Sequence, residues 1–199
     1  MVKLTPDLIQ QSMQYINPVK DRELDLRAGY KIPTIENLGA TLDQFDTIDF
    51  SDNDIRKLDG FPLLKRIKTL FFNNNRIVRI GEGLEHCIPN LETLMLTGNM
   101  IQELGDLEPL TQLKNLTNLC LLQNPVSAKP QYRQYVVYRF PQLRLLDFRK
   151  IKMKEREAAV AYFRNKPLTT PEERNKIREA ITNASSLEEV QRLSKLLQA

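Results

Sequence analysis

The residues best suited to covalent chemistry stand side by side in the stretch GLEHCIPN, residues 83–90. His86 is the only histidine of the 199-residue chain, and Cys87 is one of two cysteines. A histidine beside a cysteine could supply a base and a nucleophile, but no partner pattern accompanies this pair. One histidine cannot build a two-histidine metal site, and the GxGxxG, P-loop, nucleophile-elbow and CxxC motifs are missing from the sequence. We therefore interpret both residues as structural and predict no catalytic residue, no metal and no cofactor.

A different chemistry, hydrogen bonding by amide side chains, recurs along the chain. The stretch TLFFNNNRIVRI, residues 69–80, places three asparagines directly after an apolar run. When the chain is aligned on Asn75, four copies of one pattern appear, with apolar residues eight, five and three positions before an asparagine and two positions after it. The asparagines are 22, 24 and 25 residues apart, which matches the consensus L-x-x-L-x-L-x-x-N of leucine-rich repeats. They are Asn53, Asn75, Asn99 and Asn124.

These repeats predict an α/β fold, a leucine-rich-repeat solenoid with a parallel sheet on its concave side. Each repeat supplies one short strand and a looser return segment, and stacking buries the consensus residues as one core. After each strand the chain turns and leaves backbone groups that cannot pair within the strand. A buried asparagine amide, with two donors and two acceptor lone pairs, can satisfy these groups. We therefore expect the four asparagines to form a ladder that joins the repeats, which span roughly residues 22–148.

Helical caps are predicted at both ends of the solenoid. Thr5 as N-cap and Pro6 at the first helical position predict a short helix that includes Met13. Aromatic residues at helical spacing between residues 132 and 140 are typical of cap packing. We assign residues 1–166 to the repeat domain with its caps and residues 167–199 to a C-terminal appendage of amphipathic helices. No apolar run is long enough to predict a membrane span.

The strand positions between the consensus residues are predicted to point out of the sheet, because strand side chains alternate. This face is acidic at its start and apolar in its middle, where Phe71 and Met95 should lie roughly 5 Å apart on adjacent strands. An exposed apolar strip usually marks a contact site, so we expect a partner protein to bind here. The acidic start agrees with the composition of residues 1–60, which contain 11 acidic and 7 basic residues. The predicted contact residues are Asp25, Arg27, Asp49, Phe71, Met95, Thr97, Cys120 and Asp147.

Positive charge is concentrated behind the last repeat. Residues 129–178 hold 14 Lys and Arg against 5 Asp and Glu, although the net charge of the whole chain is only +4. Basic segments attract phosphate backbones, so we predict that this segment contacts phosphates. The alternative is a solvated helix face without a ligand. The predicted phosphate contacts are Arg149, Lys150, Lys152 and Lys154.

Several longer stretches resemble one family of leucine-rich-repeat proteins, the A-prime proteins of the spliceosomal U2 small nuclear ribonucleoprotein. They include MVKLTPDLI, RELDLRAGYKIPTIENLGATLDQFDTIDFSDNDIRKLDGFPLL, NNNRIVRIGEGL, LQNPV, PQLRLLDFRKIK and AITNASSLEEVQRLSKLLQ. The resemblance covers essentially the whole chain.

The resemblance implies a nuclear, non-enzymatic scaffold in mRNA splicing. It implies a B-double-prime type partner, whose RNA-recognition domain places a helix on the concave sheet, and a stem-loop of the U2 small nuclear RNA bound mainly through that partner. The C-terminal helices could bind other spliceosomal proteins. A second hypothesis is a regulatory subunit that grips a phosphatase or another enzyme through the same face. The positive charge after the last repeat favours the RNA-related function.

Overall fold

Short strands and helices alternate along the residues that the computed structural model describes, which are 2–27, 30–164, 179–182 and 190. The strands are β1 (Met13–Ile16), β2 (Arg22–Asp25), β3 (Thr47–Asp49), β4 (Lys57–Leu58), β5 (Thr69–Phe71), β6 (Arg79–Ile80), β7 (Thr93–Met95), β8 (Asn118–Cys120), β9 (Leu145–Leu146) and β10 (Arg149–Lys150). The α-helices are α1 (Pro6–Gln11), α2 (Leu84–Cys87), α3 (Tyr132–Arg139) and α4 (Met153–Phe163). Three 3-10 helices cover Leu38–Thr41, Leu104–Gln112 and Pro125–Ala128.

The main sheet has eight strands in the order β1-β2-β3-β5-β7-β8-β9-β10, and β4 pairs with β6 in a second, two-stranded sheet. From β2 to β9 the main sheet is parallel, and its register follows the repeat alignment. Ile48 pairs with Leu70, Leu70 with Leu94, and Leu94 with Leu119, and all four side chains are buried. The predicted leucine-rich-repeat α/β solenoid with a parallel sheet is therefore confirmed. We call the side of the sheet opposite to this buried row the concave face.

A second buried row comes from the next apolar position of each repeat. Phe50 and Phe72 of adjacent repeats stack with ring centroids 5.0 Å apart and an interplanar angle of 7°. Phe61 meets Phe72 edge-on at 6.4 Å. These large rings fill the early repeats, and Leu96 and Leu121 fill the same position in the later ones. Burial of such aromatic and aliphatic side chains is the main favourable contribution to folding.

The repeat asparagines lie in this core and bond across neighbouring repeats. Asn99 illustrates the pattern: its Oδ1 accepts from Ile77 N at 3.0 Å, and its Nδ2 donates to Phe72 O at 2.8 Å and to Leu96 O at 3.0 Å. Asn75, the third asparagine of the NNN stretch, accepts from Ile55 N in the same way. Since a buried amide group without a partner is costly, these contacts tie each turn to the repeat before it. Equivalent bonds are made by Asn53 and Asn124.

The N-terminal end of the sheet differs from the prediction. Thr5 Oγ1 accepts from Leu8 N at 3.2 Å, as expected of the helix N-cap, but α1 ends at Gln11. Met13, predicted to be helical, begins β1 instead, which pairs antiparallel with β2. The turn between them is held by Asn17, whose Oδ1 accepts from the backbone N–H groups of Val19 and Asp21. Pairing with the edge of β2 therefore prevails over the helical pattern of the sequence.

The C-terminal end is closed by α3 and α4. The guanidinium of Arg156 donates to the carbonyls of Val137, Phe140 and Leu143, the last at 2.7 Å. Tyr138 stacks on Phe163 with centroids 5.2 Å apart. These contacts fix α4 to the end of the solenoid, as expected of a cap. The amphipathic helices predicted within residues 167–199 lie outside the described residues, apart from residues 179–182 and 190, which are helical.

Candidate partner and nucleic-acid interface

The concave face is organised in rows that run across the strands. Residues paired in parallel register share a face, so each row is a line of neighbouring side chains. One row is formed by Thr47, Thr69, Thr93, Asn118 and Leu145. The central row changes from carboxylate to apolar along its length and is formed by Asp25, Asp49, Phe71, Met95 and Cys120.

The acidic end of the central row is organised by Arg27. Its guanidinium donates to the two oxygens of Asp25 at 3.0 and 2.6 Å, and its Nε lies 3.4 Å from Asp49 Oδ2. The hydrogen bond from Arg27 holds the pKa of Asp25 below its usual value, whereas burial raises the pKa of Asp49. Two carboxyl groups thus share one guanidinium. This end keeps an acidic excess that a basic partner residue could compensate.

The first strand, β1, extends this acidic end and was not among the predicted contacts. Tyr15 donates to Glu23 Oε1 at 2.8 Å, and Asn17 Nδ2 donates to Glu23 Oε2 at 2.9 Å. Burial and the bond to Glu23 raise the pKa of Tyr15 to about 12. Met13 stands opposite Asp25 and is 68% exposed. The alternating stretch MQYI before Asn-Pro was the signal for a strand and a turn.

The middle of the concave face is apolar and half-buried. Phe71 and Met95 are paired in register on β5 and β7, as the repeat alignment predicts. Cys120 continues the row but is only 1% exposed, so the prediction that its side chain is exposed was wrong. The thiol is short, and its sulfur lies 3.2 Å from Oγ1 of Thr97, which is itself half-buried. Leu122, two residues further on, is 38% exposed and ends the apolar strip instead.

Asp147, predicted as a partner contact, has a structural role in this fold. In earlier repeats the residue after each strand donates its N–H to the carbonyl of the last residue in the next strand, as Leu96 N does to Cys120 O at 2.9 Å. Within the described residues no parallel strand follows β9 in the main sheet, and Asp147 Oδ1 accepts from Leu121 N at 2.8 Å in place of that carbonyl. Its Oδ2 accepts from the hydroxyl of Tyr132, whose pKa is raised by burial and by this carboxylate. The side chain is therefore already engaged by groups of its own chain.

The four basic residues after the last repeat are exposed but do not share one face. β9 and β10 are antiparallel, with Arg149 opposite Leu146 and Lys150 opposite Leu145. Leu145 belongs to a concave row and Leu146 to the buried row, so Lys150 lies on the concave side and Arg149 on the other. Lys152 is the N-cap residue of α4, and Lys154 lies in its first turn. The strand pairing thus places Lys150 on the concave side and Arg149 on the opposite side, whereas Lys152 and Lys154 lie at the start of α4.

The residues first considered for catalysis are not assembled into a site. The side chain of His86 is 83% exposed, with Nε2 3.4 Å from Glu85 Oε1, and Cys87 is half-buried. Within the described part of the chain, no cluster of three or more His, Cys, Asp or Glu side chains could hold a metal ion. Of the helices in that part, none combines the length and the apolar character needed to cross a membrane.

Comparison with known proteins adds a family to this geometry. A leucine-rich-repeat family model matches residues 1–172. The chain is 57% identical to the probable U2 small nuclear ribonucleoprotein A' of Drosophila melanogaster, across all of this chain and 88% of that protein. It is 55% identical to the U2 small nuclear ribonucleoprotein A' of Homo sapiens, across all of this chain and 89% of that protein.

A solved structure agrees with these relatives. The crystal structure of the Drosophila melanogaster SNF/U2A' complex contains a chain that matches with a TM-score of 0.81 and 65% identity, across 90% of this chain and 99% of that one. This similarity in both sequence and backbone extends over most of this chain and nearly all of that one. The chain described here belongs to the leucine-rich-repeat family of U2 small nuclear ribonucleoprotein A' proteins.

Proposed function

We propose that this chain is a non-enzymatic scaffold of the U2 small nuclear ribonucleoprotein and acts in pre-mRNA splicing in the nucleus. It holds an RNA-recognition-domain protein of the B-double-prime type on its concave face. Together the two proteins bind a stem-loop of the U2 small nuclear RNA, with the bases read mainly by the partner. Family membership supports the particle, and the crystallised SNF/U2A' complex supports a protein partner.

The observation that carries the proposal is the apolar pair at the centre of the concave face. Phe71 and Met95 are neighbours in register and remain half-exposed in the isolated chain. Such a pair in the middle of a concave surface fits the apolar anchors of an amphipathic helix. On one side the pair adjoins Asp49 and Asp25, where basic residues of the helix could bind. Apolar anchors in the centre and charges at the rim are the usual arrangement of a specific interface.

The basic edge supports a contribution to RNA binding. Lys150, Lys152 and Lys154 are exposed where the sheet ends, so a partner seated on the concave face would hold its RNA near them. Contacts of lysine with phosphates position an RNA but carry little sequence information. Specificity then comes from the partner, whose RNA-recognition sheet stacks unpaired bases.

The two parts of the chain divide these tasks in our proposal. Residues 1–166 hold the partner and contact the RNA, and residues 167–199 are available to other spliceosomal proteins.

Affinity capture with and without nuclease tests the proposal. The wild-type chain should retain an RNA-recognition-domain protein after nuclease treatment and should retain the U2 small nuclear RNA only without it. A Phe71→Glu variant places a charge in the apolar strip and should lose both. Met100→Glu is the matched control, because Met100 is also an exposed apolar residue but follows the ladder residue Asn99 outside the concave rows. Recovery of a phosphatase, with no RNA-recognition-domain protein, would support the regulatory-subunit hypothesis instead.

A further inference from the structure

The tip of the C-terminal hairpin carries an unfavourable residue. Asp147 and Phe148 form the two-residue connection between β9 and β10, with φ values of +52° and +59°. Two consecutive positive φ values are typical of a type I′ turn, in which Asn and Gly are strongly preferred. Asp tolerates this region, whereas a bulky residue there is a conformational outlier. Phe148 is therefore strained, and a glycine would serve the turn better.

Phe148 is also unfavourable in its environment. Its side chain is 64% exposed, although burial of a phenylalanine ring is one of the larger favourable contributions to folding. The position thus combines backbone strain with exposed apolar area, and neither favours the folded chain. Strain of this kind is found where the surrounding structure holds a residue for a function.

The hairpin holds its tip firmly. Asp147 accepts from Leu121 N at 2.8 Å and from the hydroxyl of Tyr132 at 2.9 Å. Arg133 Nη1 donates to Leu146 O at 3.1 Å, and the backbone of Ile151 donates to Arg144 O at 2.9 Å. A ring on a fixed turn loses little further freedom on binding, which favours its use as a contact platform.

The surroundings of the ring are basic. Arg149 and Lys150 follow it directly, one on each face of the hairpin, and both are exposed. Lys152 and Lys154 come next, at the start of α4. Aromatic rings among Lys and Arg are the usual combination for nucleic acids with unpaired bases, because the ring stacks on the base and the cations bind the phosphates.

We propose that Phe148 is a base-stacking platform of this chain, for an unpaired nucleotide beside a paired RNA stem. The inference rests on the proposed function, in which lysines contact phosphates only, and adds a base contact made by the scaffold itself. The ligand is a single exposed base, bound through its π-face and with little preference for its identity. The phosphates on either side of it are bound by Lys150 and Arg149.

The test uses the full chain together with its RNA-recognition-domain partner and the U2 stem-loop RNA. Unpaired nucleotides of the RNA are replaced one at a time by 2-aminopurine, whose fluorescence falls when it stacks on an aromatic ring. Phe148→Gly should weaken RNA binding about tenfold and abolish the quenching at one position. The same change should raise the melting temperature by about 2–4 °C, because glycine suits the turn. Phe148→Trp should keep both binding and quenching, and Val160→Ala, an exposed apolar residue on α4, should change neither.

The possible failures point to different conclusions. Unchanged RNA affinity of Phe148→Gly, with a salt dependence that still requires the lysines, would overturn the stacking role and leave the proposed function intact. Loss of affinity for the partner protein measured without RNA would assign the ring to a protein contact, which also overturns it. If the wild-type pair binds no stem-loop at all, the proposed function fails and the stacking role fails with it.

Discussion

The asparagine ladder and the central concave row both arise from the repeat, but their side chains differ in burial and in hydrogen bonding. Both are rows of equivalent positions, one residue from each repeat. In the ladder, each amide is buried and bonded to backbone groups of two repeats, as Asn99 is to Ile77, Phe72 and Leu96. In the central row, Phe71 and Met95 are paired in register yet only half-buried.

This difference separates folding from binding. The ladder is internally satisfied, so a change there should alter the free energy of unfolding and affect binding only through the fold. The apolar part of the central row has unfilled contact area, so a change there should alter affinity with little effect on stability. A ladder variant that folds normally but binds weakly, or a variant of the apolar strip that loses mainly stability, would contradict this division.

The largest effect on stability is expected at Asn99. Asn99→Ala removes the acceptor of Ile77 N–H and the donor to Phe72 C=O, so unfolding should become easier by about 2–4 kcal/mol. Asn75→Ala should lower the free energy of unfolding less, by about 1–3 kcal/mol. Asn75 donates to Phe50 O, and this carbonyl keeps a second donor, Asn53, in the variant. Denaturant titration measures both values. The control is Asn74→Gly. Asn74 is an exposed neighbour of Asn75 with a left-handed backbone that glycine also adopts, so stability should change little. Equal losses for the two ladder variants would contradict the argument from shared acceptors.

The next effect concerns affinity at Phe71. Phe71→Ala should weaken binding of the RNA-recognition-domain partner by about 2 kcal/mol or more, because central aromatic anchors dominate such interfaces. The free energy of unfolding should change far less, since the ring is only half-buried. Calorimetric titration of the two proteins gives the affinity. Met100→Ala is the matched control on a surface outside the concave rows. A variant of Phe71 that folds and binds normally would remove the concave face from the proposed function.

A smaller effect is expected from the basic edge. Changing Lys150, Lys152 and Lys154 together to Ala should lower the salt slope of RNA binding by about two to three, provided that each contacts one phosphate. The loss of affinity should be similar for all stems, and protein–protein affinity measured without RNA should hardly change. Lys31 and Lys57, exposed lysines in the early repeats, serve as controls when changed to Ala. An intact salt slope would make the segment a solvated helix face.

The smallest effect compares two carboxylates of the central row. Burial raises the pKa of Asp49 in the folded chain, so its ionisation opposes folding at neutral pH. Asp49→Asn should therefore be slightly more stable than the wild type near pH 7, and the difference should vanish as the pH falls below the usual range for aspartate. Asp25 has a lowered pKa because of its hydrogen bond from Arg27, so its ionisation favours folding. Asp25→Asn should be less stable near pH 7, with the difference again lost in acid. Melting curves from pH 3 to pH 7 would show whether the two signs differ.

Contacts at the two ends of the sheet could not be predicted as well as those within it. Inside the repeats, period and alternation predict both the buried rows and the pairing of Phe71 with Met95. At the ends, the same periods fail because the partner strand is antiparallel or missing. Met13 was predicted to be helical and lies in β1, and the hydrogen bonds that Asp147 accepts from Leu121 N and from the Tyr132 hydroxyl were not predicted.

Cys120 shows a different limit of pattern reasoning. Its position in the central row is correct, but its exposure depends on how far its side chain reaches beyond its neighbours. A thiol is shorter than the side chains of Phe71 and Met95, and the hydroxyl of Thr97 lies against it. Register can be predicted from sequence spacing, whereas exposure depends on the volumes of side chains from several repeats.

The sequence by itself determined the repeat, its register and its ladder, because each of these depends on residue spacing along the chain. It also determined where charge accumulates, since that is a matter of composition. Only the tertiary structure decided which ends of the sheet are closed by hairpins, which carboxylates are engaged by Arg27, and on which face Arg149 and Lys150 lie. These features arise from contacts between residues that are distant in the chain, or between the two strands of a hairpin. Their energies depend on the geometry of both partners, and spacing in one segment does not contain that information.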